Sequence, residues 1–275
     1  MKTIVVPTDF STSSKNATRY AVALAKEVDA SITLLHVYQV PVTITTDTPI
    51  VVVAEEDLRR SAEGRLYTQK SEIEAETANA VKVYAELRLG DTVAELEEFS
   101  LEMKPFAVVM GSNGHSDLEK VFFGSTTLRT IRHLTSPVIA VPPAASYKGV
   151  KKIGFACDYR QVVETTPVKL IKDFIRNFQA EFHVLNVDHQ HRNLKPETAE
   201  ESLLLHTLFE DMNPVYDFID NPDVEQGIDD FAQKNNIDLL ITIPKKHKLL
   251  EGLFHKSATK QLVFHSHVPV MCVHE

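Results

Sequence analysis

Tryptophan is absent from this chain of 275 residues, and cysteine is scarce, with two residues in all. Two cysteines cannot build the disulfide framework that is typical of small secreted domains. Cys157 and Cys272 stand inside or at the end of apolar, strand-like runs, so we expect both to be reduced and buried. Unpaired cysteines of this kind indicate the cytoplasm as the compartment of the protein.

Long hydrophobic runs and an excess of positive charge are also missing. The longest apolar segments are far shorter than the ~20 residues that a membrane-spanning helix needs, and the N-terminal segment reads as a strand rather than as a signal peptide. The chain carries 29 basic and 38 acidic residues, for a formal net charge of -9. Because binding to nucleic acids and to anionic membranes depends on clustered Lys and Arg, we expect neither partner.

Apolar, strand-like runs alternate with helix-like segments through the first half of the chain. Near-continuous runs of Val, Ile and Leu are typical of parallel strands that are covered on both faces. The alternation therefore predicts a doubly wound α/β sheet. Residues 40–53 show no clear periodicity, and we predict a loop or an edge excursion there. The strand-like runs are residues 2–6, 31–38, 81–87, 106–110 and 138–141.

The second half of the chain repeats the first. Residues 142–149 break both periodicities, which is typical of a linker. After them, residues 152–157 repeat residues 3–8, and His265 falls on His133 at an offset of 132 residues (265 − 133) that also holds for neighbouring positions. The repetition predicts an internal duplication. The two predicted domains are residues 1–145 and 146–275.

A glycine-containing loop follows the strand-like run at residues 106–110. Three of the nine glycines of the chain, Gly111, Gly114 and Gly124, stand there, and Ser125 then opens a helical pattern. Glycine lets backbone amides approach a ligand closely, and a helix start adds unpaired N–H groups and a positive dipole end. Both features suit phosphate. The alternative is an ordinary loop whose helix is capped by Ser125, and the spacing fits neither a Walker A loop nor the G-x-G-x-x-G fingerprint.

Chemically informative residues also stand at the ends of other predicted strands. In an open parallel sheet, ligands bind beyond the carboxyl ends of the strands, so Pro7-Thr8-Asp9, His36-Val37 and Met110-Gly111 could converge on one crevice. His36 itself is interpreted as a core or edge histidine rather than as a ligand. Asp9 is suited to accept hydrogen bonds from a ribose, although a helix cap or an Asx turn is common for Asp at such a place. Val37 could likewise pack on an aromatic base or simply belong to the strand core.

Taken together, these segments resemble the universal stress protein family, in the tandem form with two such domains on one chain. The family's nucleotide loop has the spacing G, two residues, G, nine residues, then G and Ser or Thr, and it is complete at residues 111–125. Further resemblances are the Pro-Thr-Asp-Phe-Ser turn at residues 7–11, the LLHV segment at 34–37 and the SPVIAVP segment at 136–142. These markers cover the first predicted domain from end to end.

The resemblance implies an adenine nucleotide alpha hydrolase-like fold, with a five-stranded parallel sheet in each domain. It also implies that the first domain binds ATP, or ADP or AMP, with Mg²⁺ or Mn²⁺ bridging the phosphates, although no pair of carboxylates identifies a metal site. By position, the residues around adenosine would be Pro7, Thr8, Asp9 and Val37, and those around the ribose and phosphates would be Met110, Gly111, Gly114, Gly124, Ser125 and Thr126.

The second domain departs from the family pattern. Ile243, Lys246 and Lys256 stand at the places of the three glycines, and only the serine is retained, as Ser257. Side chains now occupy positions where backbone has to meet phosphate. We therefore predict a degenerate second domain and one nucleotide per chain. The resemblance further implies that the two domains pair as an internal pseudo-dimer, with homodimerisation of the whole chain left open.

Three functions remain compatible with the sequence. The first is an ATP-binding regulatory or stress-response protein whose protein partner is unknown. The second is a slow ATPase or a nucleotidyl-transfer enzyme, for which His115, Asp117 and Glu119 in the loop would be within reach of the phosphates. The third is a scaffold whose C-terminal domain binds a different small molecule.

Overall fold

The computed structural model describes residues 1–40, 42–45, 48–51, 55–112, 125–189, 196–244 and 258–274. Two compact units divide the chain, Met1–Ser136 and Pro137–Glu275. The domain boundary between residues 145 and 146 stays a prediction. No helix within the described ranges is long and apolar enough to cross a membrane.

Unit 1 is built on a parallel sheet. Four of its strands pair in the order β6-β1-β2-β5, and every pair is parallel. The remaining two strands, β3 and β4, form a separate antiparallel hairpin where the sequence predicted a loop or an edge excursion. Thr and Val, which favour strands, are frequent in that segment and explain the difference. The strands are β1 (Lys2–Pro7), β2 (Ala30–Tyr38), β3 (Val42–Thr45), β4 (Thr48–Val51), β5 (Val83–Leu89) and β6 (Ala107–Gly111).

Helices connect the parallel strands of unit 1, and their ends follow ordinary capping rules. The side chain of Ser11 accepts a hydrogen bond from the Ser14 amide at the start of α1, and Asp91 caps α3 in the same way. The central strand β1 is buried, with Ile4 and Val5 wholly inaccessible. The helices are α1 (Thr12–Val28), α2 (Glu55–Glu76), α3 (Thr92–Met103) and α4 (Ser125–His133).

Unit 2 repeats the order of the four parallel strands of unit 1 and adds two further strands to them. Five strands pair in parallel in the order β10-β9-β8-β11-β12, and β7 pairs antiparallel with β12. The prediction of two tandem α/β domains with parallel sheets is confirmed. The elements are β7 (Val138–Val141), β8 (Lys152–Ala156), α5 (Val162–Thr165), α6 (Val168–Ile175), β9 (Glu181–Val187), α7 (Pro196–Phe209), β10 (Val215–Ile219), α8 (Val224–Lys234), β11 (Leu239–Thr242), α9 (Ala258–His265) and β12 (Val270–Cys272).

Strand register relates the two units residue by residue. Ile4 of β1 pairs with Ala107 of β6, and Ile153 of β8 pairs with Leu239 of β11. The offset in residue number is therefore 149 between β1 and β8 (153 − 4) and 132 between β6 and β11 (239 − 107). Thr8 therefore corresponds to Cys157. Gly111 lies four residues after Ala107, and Ile243 lies four residues after Leu239, so Ile243 is the counterpart of Gly111.

The cysteines differ from expectation in one respect. Cys272 is buried in β12, and burial raises the pKa of its thiol. Cys157 is only half-buried, so the expectation of burial is wrong for this residue. It lies just past the last residue of β8, where the strand leaves the covered sheet. Neither cysteine forms a disulfide.

Candidate functional site

A tight turn joins β1 to α1 at the carboxyl end of the unit 1 sheet. The Thr8 amide donates to the carbonyl of Leu35 at 2.9 Å, which extends the sheet by one residue. The Phe10 amide then donates to Thr8 Oγ1 at 3.1 Å, and the Ser11 amide donates to Asp9 Oδ1 at 3.0 Å. Asp9 thus closes an Asx turn while its side chain remains exposed.

A buried amide holds this turn from below. Gln69 of α2 is 6% exposed, and its Oε1 accepts a hydrogen bond from Thr8 Oγ1 at 3.1 Å. Its Nε2 donates to Thr18 Oγ1 at 3.1 Å, and Thr18 donates in turn to the carbonyl of Ser14. The turn is therefore fixed to both α1 and α2. Gln69 carries no motif in the sequence, and a polar residue on the apolar face of α2 was the one signal that could have revealed it.

Three side chains lie together above the ends of β1 and β2. The Phe10 ring lies 4.6 Å from the His36 ring between centroids, and the Arg65 guanidinium carbon lies 4.2 Å from the Phe10 centroid. His36 Nδ1 donates to the carbonyl of Thr8 at 2.7 Å. Burial lowers the pKa of His36, and the charge of Arg65 lowers it further, while the bond to Thr8 opposes the shift. The sequence assigned no role to Phe10 or Arg65, and it indicated a core or edge histidine at His36.

Gly111 is the point at which two helix starts meet the end of β6. A Cβ atom at Gly111 would lie 2.1 Å from Ser13 Oγ, which belongs to the first turn of α1. The carbonyl of Gly111 accepts a hydrogen bond from Thr127 Oγ1 at 2.8 Å, and Thr127 lies in the first turn of α4. The hydroxyls of Ser13 and Ser112 are buried and have no hydrogen-bond partner in the part of the chain that the structure describes.

The predicted site residues that are described lie at the ends of three adjacent strands. Pro7 ends β1, with Thr8 and Asp9 following it, and Val37 lies near the end of β2. Met110 and Gly111 end β6. Ser125 and Thr126 are the first two residues of α4, and the side chain of Thr126 is half-buried. Gly114 and Gly124 lie outside the described residues, as do His115, Asp117 and Glu119.

Unit 2 repeats the turn of unit 1 with different side chains. The Tyr159 amide donates to Cys157 Sγ at 3.4 Å, and the Arg160 amide donates to Asp158 Oδ1 at 3.2 Å. Asn186, which takes the place of His36, donates to the carbonyl of Cys157 at 2.9 Å. Tyr159 is buried, and burial raises the pKa of its hydroxyl.

The helix start beside this second turn is occupied by a carboxylate. Glu201 of α7 accepts a hydrogen bond from the Val162 amide at 2.8 Å, at the first residue of α5. Val162 is the sixth residue after the end of β8, as Ser13 is the sixth after the end of β1, so an apolar residue stands at the place of that serine. A helix start that already binds a carboxylate repels a second anion.

A metal site is not evident among the described residues, where no group of three or more His, Cys, Asp or Glu side chains could hold a metal ion. The arrangement in unit 1 instead offers backbone amides, hydroxyls and two helix starts. These groups bind anions.

Comparison with known proteins identifies the family. A model of the universal stress protein family matches residues 1–142 and again residues 149–274. A curated universal stress protein of Methanocaldococcus jannaschii is 32% identical over 142 residues, which are 51% of this chain and 81% of that protein. The tandem resemblance that the sequence predicted is thus confirmed.

Solved structures support the fold over the whole chain. A universal stress protein from Archaeoglobus fulgidus matches with a TM-score of 0.76 at 18% identity, covering 99% of this chain and 98% of that one. A putative universal stress protein from Pseudomonas aeruginosa matches with a TM-score of 0.62 at 11% identity, covering 99% and 93%. These similarities confirm the fold class, including its adenine nucleotide alpha hydrolase-like type. The chain therefore belongs to the universal stress protein family, in the tandem form with two such domains on one chain.

Proposed function

We propose that the protein is an ATP-binding regulatory or stress-response protein that holds one adenine nucleotide per chain, in unit 1. The observation that carries the proposal is the meeting of two helix starts at Gly111. Ser13 of α1 and Thr127 of α4 both contact this residue, at the carboxyl end of β6. Helix starts present unpaired N–H groups and a positive dipole end, which together attract phosphate.

The surroundings of Gly111 suit a polyanion in two further ways. The buried hydroxyls of Ser13 and Ser112 are donors without a partner among the described residues, and phosphate oxygens are strong acceptors. Asp9 lies exposed one strand away, where it could accept hydrogen bonds from the ribose of the same nucleotide. An Mg²⁺ or Mn²⁺ ion would be held chiefly by the phosphates, since the described residues offer no metal-binding cluster.

The proposed stoichiometry depends on the changes in unit 2. Ile243 stands where unit 1 has Gly111, Val162 stands where it has Ser13, and Glu201 occupies the start of α5. Each change removes a donor or adds bulk or negative charge where phosphate would bind. We therefore expect unit 2 to bind no ATP in this manner.

Titration calorimetry with ATP tests the proposal. We expect one site per chain, which disappears when Gly114 is replaced by the lysine that unit 2 carries at the corresponding position (Gly114→Lys). The control is Gly64→Lys on α2, where an added Cβ meets no atom within 4 Å. Two equivalent sites, or no binding by the unsubstituted protein, would contradict the proposal.

The loop residues that could support hydrolysis lie outside the described ranges, and no feature within those ranges favours an enzyme. Turnover well above background that is abolished by one change at His115 or Asp117 would establish one. The cytoplasmic location, the internal pseudo-dimer and homodimerisation of the whole chain stay predictions.

A further inference from the structure

Arg65 is an exposed cation of α2 that lies over an aromatic ring at the carboxyl end of the sheet. Its guanidinium carbon is 4.2 Å from the centroid of Phe10. Within the described ranges, no carboxylate forms an ion pair with it. Because Arg65 is exposed and no carboxylate in that part of the chain neutralises it, a ligand can reach its guanidinium.

Several contacts hold the ring beneath Arg65 in place. Phe10 has a φ of 66°, a left-handed conformation that is uncommon for a residue other than glycine. The conformation is held by the bond from the Phe10 amide to Thr8 Oγ1 and by the packing of the ring on His36. We call Phe10, His36 and Arg65 the aromatic wall. A planar cation that is already stacked on a fixed ring loses little freedom when a second ring joins it.

The aromatic wall lies at the ends of β1 and β2, on the other side of the site from Gly111 and the start of α4. The strand order is β6-β1-β2, and adjacent strands lie about 4.8 Å apart, so the ends of β6 and β2 are separated by about 10 Å. A nucleotide whose phosphates lie at Gly111 and the start of α4 extends its nucleoside across β1 toward the wall. The β2 end of the wall is marked by His36.

We propose that Arg65, supported by Phe10, stacks on the base of the bound nucleotide and so contributes to the preference for a nucleotide over other polyphosphates. The inference rests on the proposed function of unit 1. Guanidinium groups are weakly hydrated and stack on aromatic faces, and nucleobases stack on such surfaces. His36 does not compete as a cation, because burial and the neighbouring Arg65 keep its pKa low.

Calorimetry with three ligands tests this assignment in the full-length protein. The ligands are ATP, AMP and inorganic tripolyphosphate, and the variants are Arg65→Ala and Arg65→Lys. We expect the affinities for ATP and AMP to fall by the same factor, about tenfold for Arg65→Ala, because base stacking is lost equally from both. Arg65→Lys should lose most of the same affinity, since an ammonium group keeps the charge but has no plane. Tripolyphosphate affinity should not change.

The control variant is Arg60→Ala. Arg60 lies on the same helix, its side chain is 74% exposed, and it pairs with Glu56. Arg60→Ala removes the same charge at a position that does not contact Phe10, so it should leave all three affinities unchanged. Melting curves will show that each variant is folded.

Two results would overturn the assignment while leaving the proposed function intact. In one, Arg65→Ala binds ATP as tightly as the unsubstituted protein. In the other, it weakens ATP and tripolyphosphate but not AMP, which would make Arg65 a phosphate ligand. If the unsubstituted protein binds no nucleotide at all, the proposed function fails and this inference fails with it.

Discussion

The turns that follow the first strand of each unit share a backbone but not a chemistry. In both, the third residue of the turn is left-handed, with a φ of 66° at Phe10 and 50° at Tyr159. In both, its amide is bonded to the side chain two residues earlier, at Thr8 Oγ1 or Cys157 Sγ. A strained conformation that recurs at corresponding positions belongs to the shared architecture. Its presence alone therefore says nothing about nucleotide binding.

The difference lies in what surrounds the turn. Unit 1 places a glycine and a serine in contact at the end of β6, and unit 2 has Ile243 and Val162 at the corresponding positions. The exchange replaces a glycine and a hydroxyl side chain by two apolar side chains. The two units thus share a fold, while their side chains differ at the place where unit 1 is proposed to bind a nucleotide.

The helices after these turns differ in the same direction. In unit 1, α1 runs without a break for 17 residues and is capped by its own Ser11. In unit 2, α5 has four residues and ends before Pro167, whose ring lacks an N–H and disfavours helix at the preceding residue. A single helical turn has a weak dipole, and here Glu201 already occupies its start. The helix start in unit 2 is therefore shorter than that of α1 and is already bonded to a carboxylate.

The largest expected effect comes from copying the isoleucine of unit 2 into unit 1. In Gly111→Ile, the new Cβ would overlap Ser13 Oγ and lie 3.1 Å from the Ser13 carbonyl oxygen, so the hydroxyl has to turn away and the Ser13 backbone has to yield slightly. We expect the free energy of unfolding to fall by about 1–3 kcal/mol or more, and ATP binding to be lost. Urea denaturation and calorimetry measure the two effects.

Gly64→Ile is the matched control for this change. A Cβ at Gly64 meets nothing within 4 Å, and isoleucine is a better helix former than glycine. The control should therefore be neutral or slightly stabilising. If Gly111→Ile proves as stable as Gly64→Ile, the close contact at Gly111 is not a constraint on unit 1.

The fold could be predicted from the sequence because strands that are buried on both faces of a sheet appear as continuous apolar runs. The runs around Ile4 and Val108 are continuously apolar, and the structure places them side by side in parallel strands with both residues inaccessible. The offset of 132 residues that the sequence indicated is the offset found in the strand register (239 − 107). Hairpin β3–β4 was missed because a short segment that is rich in Pro and Thr shows no periodicity.

Parts of the candidate site could be proposed from the sequence where a residue type is itself the signal. At Gly111 a Cβ atom would overlap Ser13, and at Asp9 the side chain closes an Asx turn. Arg65 could not be found, and Gln69 shows only as a polar residue on the apolar face of α2, because they lie 55 residues (65 − 10) and 61 residues (69 − 8) from their partners in the turn. Contacts of that kind arise from the packing of α2 on the sheet and have no local pattern.

Removal of the Glu201 carboxylate, which bonds to the start of α5, tests the difference between the helix starts of the two units. We expect a moderate effect on stability. In Glu201→Ala, the Val162 amide loses its partner at the helix start, and we expect a loss of about 1 kcal/mol in the free energy of unfolding. Glu201→Gln keeps an acceptor oxygen and should lose less. Glu200→Ala removes the same charge from an exposed neighbouring position and serves as the control. Equal stability of the two alanine variants would show that Glu201 is not a cap.

The smallest expected effect concerns the side chain that bonds to the carbonyl in each turn. Unit 1 uses His36 on Thr8, and unit 2 uses Asn186 on Cys157. Burial lowers the pKa of His36, so in the folded state this ring stays neutral at a pH where the unfolded chain has begun to bind a proton. As the pH falls below about 6.5, the unfolded chain therefore binds a proton at this histidine before the folded chain does. The free energy of unfolding decreases over this range, until the pH reaches the lowered pKa of the folded state.

The substitution His36→Asn should keep the hydrogen bond and remove this dependence. We expect the variant to lose less stability than the unsubstituted protein between pH 7.5 and pH 5.5, measured as the difference in unfolding free energy by urea denaturation at each pH. The reciprocal Asn186→His should lose more over the same range, because Asn186 is also buried and a ring there would meet the same desolvation. Parallel pH profiles for all three proteins would mean that His36 has the same pKa in the folded and unfolded chains. The exchange of His36 for Asn186 between the two turns would then have no effect on the pH dependence of stability.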